Sequence, residues 1–416
     1  MSDRRVRVEV GVEPQKGQGA AFVALCLVVV VPPGVGRLAW HFPRAVVRRT
    51  RFAQRSEGSV EHLRFTAVQD FGRLPGLDPL LPSRLRDSVV LALTAGAEAV
   101  DILAVHLSGL APWNLDDERI MGLLDPFLEE MPGAMIVLPD LGGPLSTGPE
   151  LMAPLDERRS TLERTLKRFA EGLRERYQVA LFDLPPDERT PDDDLFPRLA
   201  GVDAAACCWT GTPIRLRAHG WRSAAVASAA MLAADPLDVF GAMAGRTVTL
   251  GPGRRARRDK GMLLGRAPLY EDRRPDRSEY AIQLRIEGRQ DVAHVVSEGT
   301  LRRPIGAWRM PALRTAKALH RSIVRAADPF VFRPLQEAEA FKLVIALSQI
   351  IRPFADEGII VGPGGAGAPE IDAQVDRNPA TPGFVADVTA QLRPWARNVR
   401  IRVRVQPGQK PALEGI

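Results

Sequence analysis

Two short segments, one near each end of the chain, alternate strictly between apolar and polar side chains. Residues 5–12 (RVRVEVGV) place four valines on one face, and residues 398–405 (NVRIRVRV) place three valines and an isoleucine opposite a row of arginines. A period of two is the pattern of a β-strand with one buried face. A terminal strand needs a sheet to join, and the sheet of a second copy serves as well as its own. We therefore predict that the arm 6–12 of one copy pairs with the closing strand of another, through Val6, Val8, Val10, Val399, Ile401, Val403 and Val405.

From about residue 80 to 235 the pattern changes to apolar runs without alternation, separated by amphipathic segments. The runs predict buried strands at 100–107, 134–139, 179–184 and 202–209. The intervening segments predict helices at about 82–96, 116–130, 156–176 and 222–233. Buried strands that alternate with helices indicate an α/β fold, with a mostly parallel sheet covered on both faces.

The apolar run at 20–31 (AAFVALCLVVVV) ends at two prolines and is much shorter than the ~20 residues that a membrane helix needs. The segment before it carries Asp3, Glu9 and Glu13, which fits a signal peptide poorly. We predict a buried strand, a cytoplasmic protein and no direct membrane insertion.

The last hundred residues predict a second, α+β part of the molecule. The pattern indicates a helix at 308–324, a proline break, a long helix at 328–351 and a glycine loop at 358–367. A strand at 370–378 follows, then a turn-rich stretch with a short helix, then the closing strand. The fold class is therefore α/β, with a helix–sheet domain and strand arms at the termini.

Length and composition favour several folded parts. The chain has 416 residues, more than one ordinary core holds, and its 45% hydrophobic and 25% charged content is typical of globular proteins. We predict a strand arm and tether at 1–19, an α/β body at 20–300 with a basic insertion near 245–300, a C-terminal domain at 301–397 and a strand arm at 398–416.

The sequence contains no assembled catalytic or metal-binding set. The glycine loop 362–369 lacks the Gly-Lys-Ser/Thr ending of a phosphate-binding loop. The six histidines show no i,i+4 pair and no cysteine at ligand spacing. The three cysteines are predicted to be small buried side chains in a reducing compartment. We therefore expect no cofactor, no metal and no catalytic residue.

One basic cluster is the best candidate for nucleic-acid binding. No aromatic side chain is interleaved with it, and the net charge of the whole chain is only +6. We expect that this cluster does not bind nucleic acid. Three roles stay open for it: contact with an inner tube, contact within a lattice, or plain solvent exposure. The cluster consists of Arg254, Arg255, Arg257, Arg258 and Lys260.

The order of motifs near the C-terminus resembles one known family. It runs W-R-x-x-x-x-R-T at 308–315, D-x-F-V-F-x-P at 328–334, a glycine-rich turn, an acidic strand ending D-R-N-P at 379, and a basic final strand. This order resembles the C-terminal domain of contractile tail sheath proteins. Weaker resemblance to the same family extends upstream to residue 71.

The resemblance implies a structural, non-enzymatic subunit that polymerises helically around an inner tube and contracts. Its implied partners are further copies of itself, the inner tube protein, and baseplate and terminal cap proteins. Terminal arms of one subunit would complete a small sheet in another. Two alternatives stay open: an α/β enzyme acting on a phosphorylated or nucleotide substrate, and a nucleic-acid-binding protein that uses the cluster at 254–260.

Overall fold

The computed structural model describes two compact units, Met1–Met310 and Pro311–Ile416. The described residues are 25–31, 37–38, 51–55, 58–66, 83–107, 118–131, 134–138, 163–169, 172–173, 178–183, 205–209, 214–216, 220–222, 224–234, 247–249, 281–286, 292–301, 309–392 and 397–414.

The largest element in the described part of the first unit is a ten-stranded sheet. Its strands are β1 Leu25–Val30, β2 Arg51–Arg55, β3 Gly58–Phe65, β4 Val100–His106, β5 Met135–Val137, β6 Val179–Asp183, β7 Ala205–Trp209, β10 Thr247–Thr249, β11 Ala281–Ile286 and β12 Val292–Glu298. A separate hairpin consists of β8 Ile214–Leu216 and β9 Gly220–Arg222. The helices are α1 Ser83–Thr94, α2 Glu118–Leu128 and α3 Ala224–Ala234, and residues 163–169 are also helical.

The strand order is β10-β12-β11-β7-β6-β5-β1-β4-β3-β2. The pairings from β11 through β7, β6, β5 and β1 to β4 are all parallel. The pairings at both ends of the sheet are antiparallel. The predicted fold class, a mostly parallel α/β body, is therefore confirmed.

The centre of the sheet explains the apolar run at 20–31. All six residues of β1 are buried, because β1 has a parallel neighbour on each side and both of its faces are covered. Helix α3 packs on β5, β6 and β7, and its sequence AAVASAAMLAA consists mainly of small residues. Small side chains let a helix approach a sheet closely, and every residue from Ala225 to Leu232 is buried.

Four strands at the two ends of this sheet have no counterpart among the predicted strands: β2 and β3 at one end, and β10 and β12 at the other. The sequence pattern predicts neither a helix nor a strand at the residues of β2 or of β3. In β3 the alternation of buried and exposed positions is interrupted, because Glu61 is fully buried next to Val60. A buried charged residue removes the polar position that a period-two pattern needs.

The second unit combines two helices with a small sheet. The helices are α4 Met310–Ala327 and α5 Glu337–Asp356, separated by a 3-10 helix at Asp328–Phe332. The strands are β13 Ile360–Val361, β14 Glu370–Asp376, β15 Gly383–Leu392, β16 Arg397–Val405 and β17 Ala412–Glu414. The division between the units falls ten residues beyond the predicted start of the C-terminal domain, and β16 belongs to the sheet of its own unit.

The predicted helix at 328–351 is wrong at both ends. Its first part is a 3-10 helix, and the α-helix begins only at Glu337 and continues to Asp356. Arg333 is extended, with φ −91° and ψ 148°. It precedes Pro334, and the ring of a proline disfavours the helical conformation in the residue before it.

The short helix predicted between residues 378 and 398 is also wrong. These residues contain β15, which pairs with β14 and β13 along one edge and with β16 along the other. Its side chains Phe384, Val385 and Val388 are buried. Aromatic and β-branched residues favour a strand that has neighbours on both sides.

Within the described part of the chain, no helix is both long enough and apolar enough to cross a membrane.

Gly383 gives a test of the small sheet. A Cβ atom at this position would lie 2.4 Å from the carbonyl oxygen of Val405, on the backbone of the neighbouring strand. We predict that Gly383→Ala destabilises the second unit by about 1–3 kcal/mol, because backbone must shift to make room. Amide hydrogen exchange of residues 383–405 measures the loss.

The matched control is Thr389→Ala, at a partly exposed position of the same strand. It should change the exchange free energy by less than ~0.5 kcal/mol. Equal effects of the two substitutions would contradict the close approach at Gly383.

Candidate assembly interface of the second unit

The small sheet has one apolar face and one charged face. The register places Phe384, Ala386 and Val388 of β15 opposite Val405, Val403 and Ile401 of β16. Helix α5 packs on β14, and Phe330 of the 3-10 helix meets Phe384 edge-on, with ring centroids 6.4 Å apart. The four predicted residues of the closing strand are each at most 1% exposed on this apolar face: Val399, Ile401, Val403 and Val405.

The closing strand finds partners inside its own chain. β16 pairs with β15 along its whole length, and residues 402–404 also pair with β17. The predicted arm residues Val6, Val8 and Val10 lie outside the described residues, as does the basic cluster Arg254, Arg255, Arg257, Arg258 and Lys260. Pairing between copies therefore stays a prediction.

The charged face is held together by a ladder of arginines and aspartates. Arg402 donates two hydrogen bonds of 3.0 Å to the carboxylate of Asp387, and Arg400 donates a third of 3.3 Å. Arg404 reaches across β15 to the carboxylate of Asp376 on β14, at 2.6 Å. Three strands are thus linked by charged hydrogen bonds as well as by their backbones.

These contacts shift the pKa values of both carboxyl groups downwards. The backbone N–H of Asn378 is the main cause of the lowered pKa of Asp376, and the hydrogen bond from Arg404 is the second. The hydrogen bond from Arg402 is the main cause of the lowered pKa of Asp387; burial opposes it and Arg400 adds to it. Both groups are therefore held in the charged form at neutral pH.

The two long strands at the sides of β15 differ in how complete their burial is. The apolar residues of β16 are almost fully buried, whereas Ile371, Ala373 and Val375 of β14 are only partly buried. Among the described residues, no strand pairs with the outer edge of β14. Within the described part of the chain, this edge therefore presents backbone groups without a strand partner beside an incompletely covered apolar row.

Helix α5 carries apolar side chains on two faces. Ala340, Leu343, Leu347 and Ile351 are buried on one face. Phe341 is 66% and Ile345 43% exposed on the other, and Phe332, just before the helix, is 82% exposed. Exposed large apolar residues that lie side by side are typical of a surface that another protein covers.

The first unit contains a polar cluster that sequence reasoning missed. His62 Nε2 lies 2.8 Å from the carboxylate of Asp101, which pairs in register with Cys26 of β1. Burial first, and the Asp101 charge second, raise the pKa of the Cys26 thiol well above its usual value. A thiol acts as a nucleophile only when it is deprotonated. This arrangement therefore disfavours the nucleophilic form. The cluster is not visible in the sequence pattern, because no strand is predicted at β3.

The remaining candidates for chemistry do not converge in the described part of the chain. No group of three or more histidine, cysteine, aspartate or glutamate side chains suited to a metal is present there. Fully buried Glu61 accepts the backbone N–H of Leu38 at 2.6 Å and lies 3.4 Å from His106. The glycine loop closes on itself, since Gly362 donates its N–H to the carbonyl of Gly367.

Neither a protein-family model nor a curated protein sequence matches the chain. Solved structures do. The sheath complex of an extracellular contractile injection system, PVC, in the contracted state is 14% identical, with a TM-score of 0.50 over 95% of this chain and 88% of that chain. The helical sheath of the anti-feeding prophage, also contracted, is 15% identical, with a TM-score of 0.49 over 90% of this chain and 89% of that chain.

A chain of the anti-feeding prophage baseplate is 14% identical, with a TM-score of 0.48 over 86% of this chain and 84% of that chain. The likeness to the PVC sheath complex establishes the fold of the chain. The resemblance to contractile sheath proteins that the motifs indicated is confirmed at the level of the fold.

The aspartates predict how the small sheet responds to pH. Their folded pKa values lie below the unfolded value of about 3.9, so their stabilisation is present above about pH 4 and is lost as pH falls through the folded values. We expect the protection factors of the β15 and β16 amides to fall in that acidic range. Arg402→Gln should weaken this dependence, because it removes the main cause of the Asp387 shift.

The matched control is Arg352→Gln. Arg352 and its partner Asp356 on α5 are 80% and 68% exposed at a separation of 3.5 Å, and such surface pairs contribute little. An acid response that is the same in wild type and Arg402→Gln would contradict the role of the arginine.

Proposed function

We propose that this chain is the structural, non-enzymatic subunit of a contractile sheath, which polymerises helically around an inner tube and contracts to drive it through a target envelope. The observation that carries the proposal is the outer edge of β14, with which no strand among the described residues pairs. The sheath fold and the alternating segment at 5–12 support it.

The proposed assembly contact is strand addition. The sequence predicts that the arm, with Val6, Val8 and Val10, pairs with the closing strand of another copy. Because the closing strand, with Val399, Ile401, Val403 and Val405, pairs with β15 and β17 of its own chain, the arm is proposed to join the same sheet at the outer edge of β14. Arm and edge are different surfaces, so each copy offers one and receives the other. Contacts of this kind propagate without closing and build a filament from a single chain.

One such contact is weak by itself. Backbone hydrogen bonds contribute about 0.5–1.5 kcal/mol each, and a fully buried valine roughly 1.5–3 kcal/mol. Ordering the arm and losing free motion oppose this by several kcal/mol. Stability of the sheath therefore comes from many contacts that act together.

Contraction is proposed as a movement of the subunit bodies while the strand contacts persist. If the subunit bodies rotate as rigid units while the arms stay paired, the arrangement of subunits changes and the small sheets stay intact. The free energy for the movement is stored in a metastable extended lattice formed during assembly. The proposal needs no cofactor and no turnover by the subunit.

The remaining surfaces are assigned to the other partners. The apolar face of α5, with Phe341 and Ile345, is proposed to be covered by another protein in the particle. The basic residues at 254–260 are proposed as contacts with the inner tube or the lattice, not with nucleic acid. Baseplate and cap proteins end the helix, and the particle assembles in the cytoplasm.

Deletion of residues 1–12 tests the assembly contact. We expect a folded chain that forms no tubes, because the arm is lost while the described sheet keeps its own strands. Negative-stain microscopy and sedimentation measure assembly, and circular dichroism measures folding. Proline at Val403 is a poorer test, since Val403 pairs with Ala386 on one side and Leu413 on the other.

The control is Val8→Ile, which keeps the alternation of the arm and should keep the tubes. Normal tubes from the truncated chain would overturn the strand-addition proposal. A truncated chain that fails to fold would show that the arm belongs to the core of its own subunit.

The α5 face gives an independent test. Serine in place of Phe341 and Ile345 should leave the folding free energy within ~0.5 kcal/mol, because both side chains are largely exposed. It should lower the yield of complete particles, since buried aromatic anchors dominate protein interfaces. Particle yield is counted by microscopy from cells that express the whole apparatus.

Gln349→Ser is the matched control, because Gln349 is exposed and lies one helical turn beyond Ile345. Normal particle yield from the double serine variant would show that this face stays in solvent.

A further inference from the structure

The open edge of β14 carries acidic side chains that form no ion pair with the described residues. Glu370 and Asp372 are exposed on the charged face of the sheet, and no ion pair within the described residues includes either of them. Asp372 lies in register with Asp387, whose charge is already neutralised by Arg400 and Arg402. The next acid along the strand, Asp376, is occupied by Arg404. Two negative charges at the start of β14 are thus left for an incoming strand.

The arm at 5–12 has a complementary pattern. Arg5 and Arg7 lie on its polar side, followed by a single acid, Glu9, and then by Gly11. Residues opposite each other on neighbouring strands point to the same face, and a slip by one residue would move the valines to the charged face. Only registers that place the valines of the arm beside Ile371, Ala373 and Val375 are therefore acceptable.

The charges distinguish the two directions of the arm at full overlap. In the parallel direction, Arg5 faces Glu370, Arg7 faces Asp372, and Glu9 faces neutral Gln374. Gly11 then faces Asp376, which needs no further partner. In the antiparallel direction, Arg5 faces Asp376, which Arg404 already binds, and Gly11 faces Glu370. Arg7 faces Gln374 and Glu9 faces Asp372, so a repulsive pair replaces an attractive one. Like charges directly opposite each other destabilise strand pairing.

We propose that Glu370 and Asp372 select the direction and register of the arm: residues 5–11 of a second copy lie parallel to residues 370–376, with Arg5 opposite Glu370 and Arg7 opposite Asp372. This rests on the proposed sheath function for the biological role of the contact. The apolar side follows from the same register, which places Val6 beside Ile371, Val8 beside Ala373 and Val10 beside Val375.

Disulfide trapping between two cysteine variants tests the direction. Chains with Val10→Cys are mixed with chains with Val375→Cys, and in a second mixture with chains with Ile371→Cys. Neighbouring strands lie about 4.8 Å apart, within disulfide range, whereas residues 371 and 375 are about 13 Å apart along the strand. The parallel register places Val10 beside Val375, and the antiparallel register places it beside Ile371.

We expect the first mixture to form at least about tenfold more crosslinked dimer than the second, because only its sulfur atoms come within range. The unmodified chain serves as the blank for the three native cysteines. Preferential crosslinking in the second mixture, or equal crosslinking in both, would overturn the parallel register.

Charge reversal tests the selecting residues. Arginine at both Glu370 and Asp372 should weaken one arm contact by about tenfold or more, because two attractive pairs become repulsive. Glutamate at both Arg5 and Arg7 should have the same effect. The chain that carries all four changes should recover assembly. Gln374→Ala, between the two groups, should assemble normally.

The outcomes separate this inference from the sheath proposal. Normal tubes from the charge-reversed variants would refute the role of Glu370 and Asp372. Absence of tubes from the fourfold variant would refute it as well. Neither outcome would contradict the sheath function. Absence of tubes from the wild-type chain, together with preferential crosslinking of the Val10→Cys and Val375→Cys chains, would refute the sheath function and support the register.

Discussion

An exposed strand edge is the constraint on which the second unit depends, because its backbone N–H and C=O groups have no strand partner among the described residues. The unit meets this constraint differently on its two sides. On the side of β16, residues 402–404 pair with β17, and the apolar residues of β16 are buried to 1% exposure or less. On the side of β14, the described residues supply no neighbour, and the apolar row stays partly exposed. The described part of the unit thus has a paired central sheet, and the outer edge of β14 stays open along its whole length.

An open edge invites pairing with any extended chain, so it needs a device for selection. Charged residues on an edge strand are a common protection against indiscriminate pairing. Here Glu370 and Asp372 stand at one end of β14, while Asp376 at the other end is neutralised by Arg404. The charge is therefore unequal along the strand. An unequal charge distribution discriminates between directions of an incoming strand, which a uniform row of acids could not do.

Sequence reasoning identified the elements whose pattern depends on their own residues. The buried run at β1, the parallel body and the faces of Val399, Ile401, Val403 and Val405 all follow from local periodicity. It failed where long-range contacts decide the structure. β15 became a strand because it has neighbours on both sides, and β3 escaped notice because Glu61 is buried beside Leu38 and His106. The open edge of β14 had a visible signal, the alternation EIDAQVD, but only the pairing of the other strands shows which edge is free.

The completeness of the small sheet also determines what assembly costs. If β16 were needed from a neighbour, the unit would fold only in the lattice, and every contact would include the cost of ordering a domain. β16 is already paired, and its arginines already bind Asp376 and Asp387. The edge of β14 is therefore formed before a proposed arm binds to it. In the proposed contact only the arm must be ordered, so the entropic cost of each contact is limited to the arm. The proposed lattice would gain its stability from the number of such contacts and not from the strength of one.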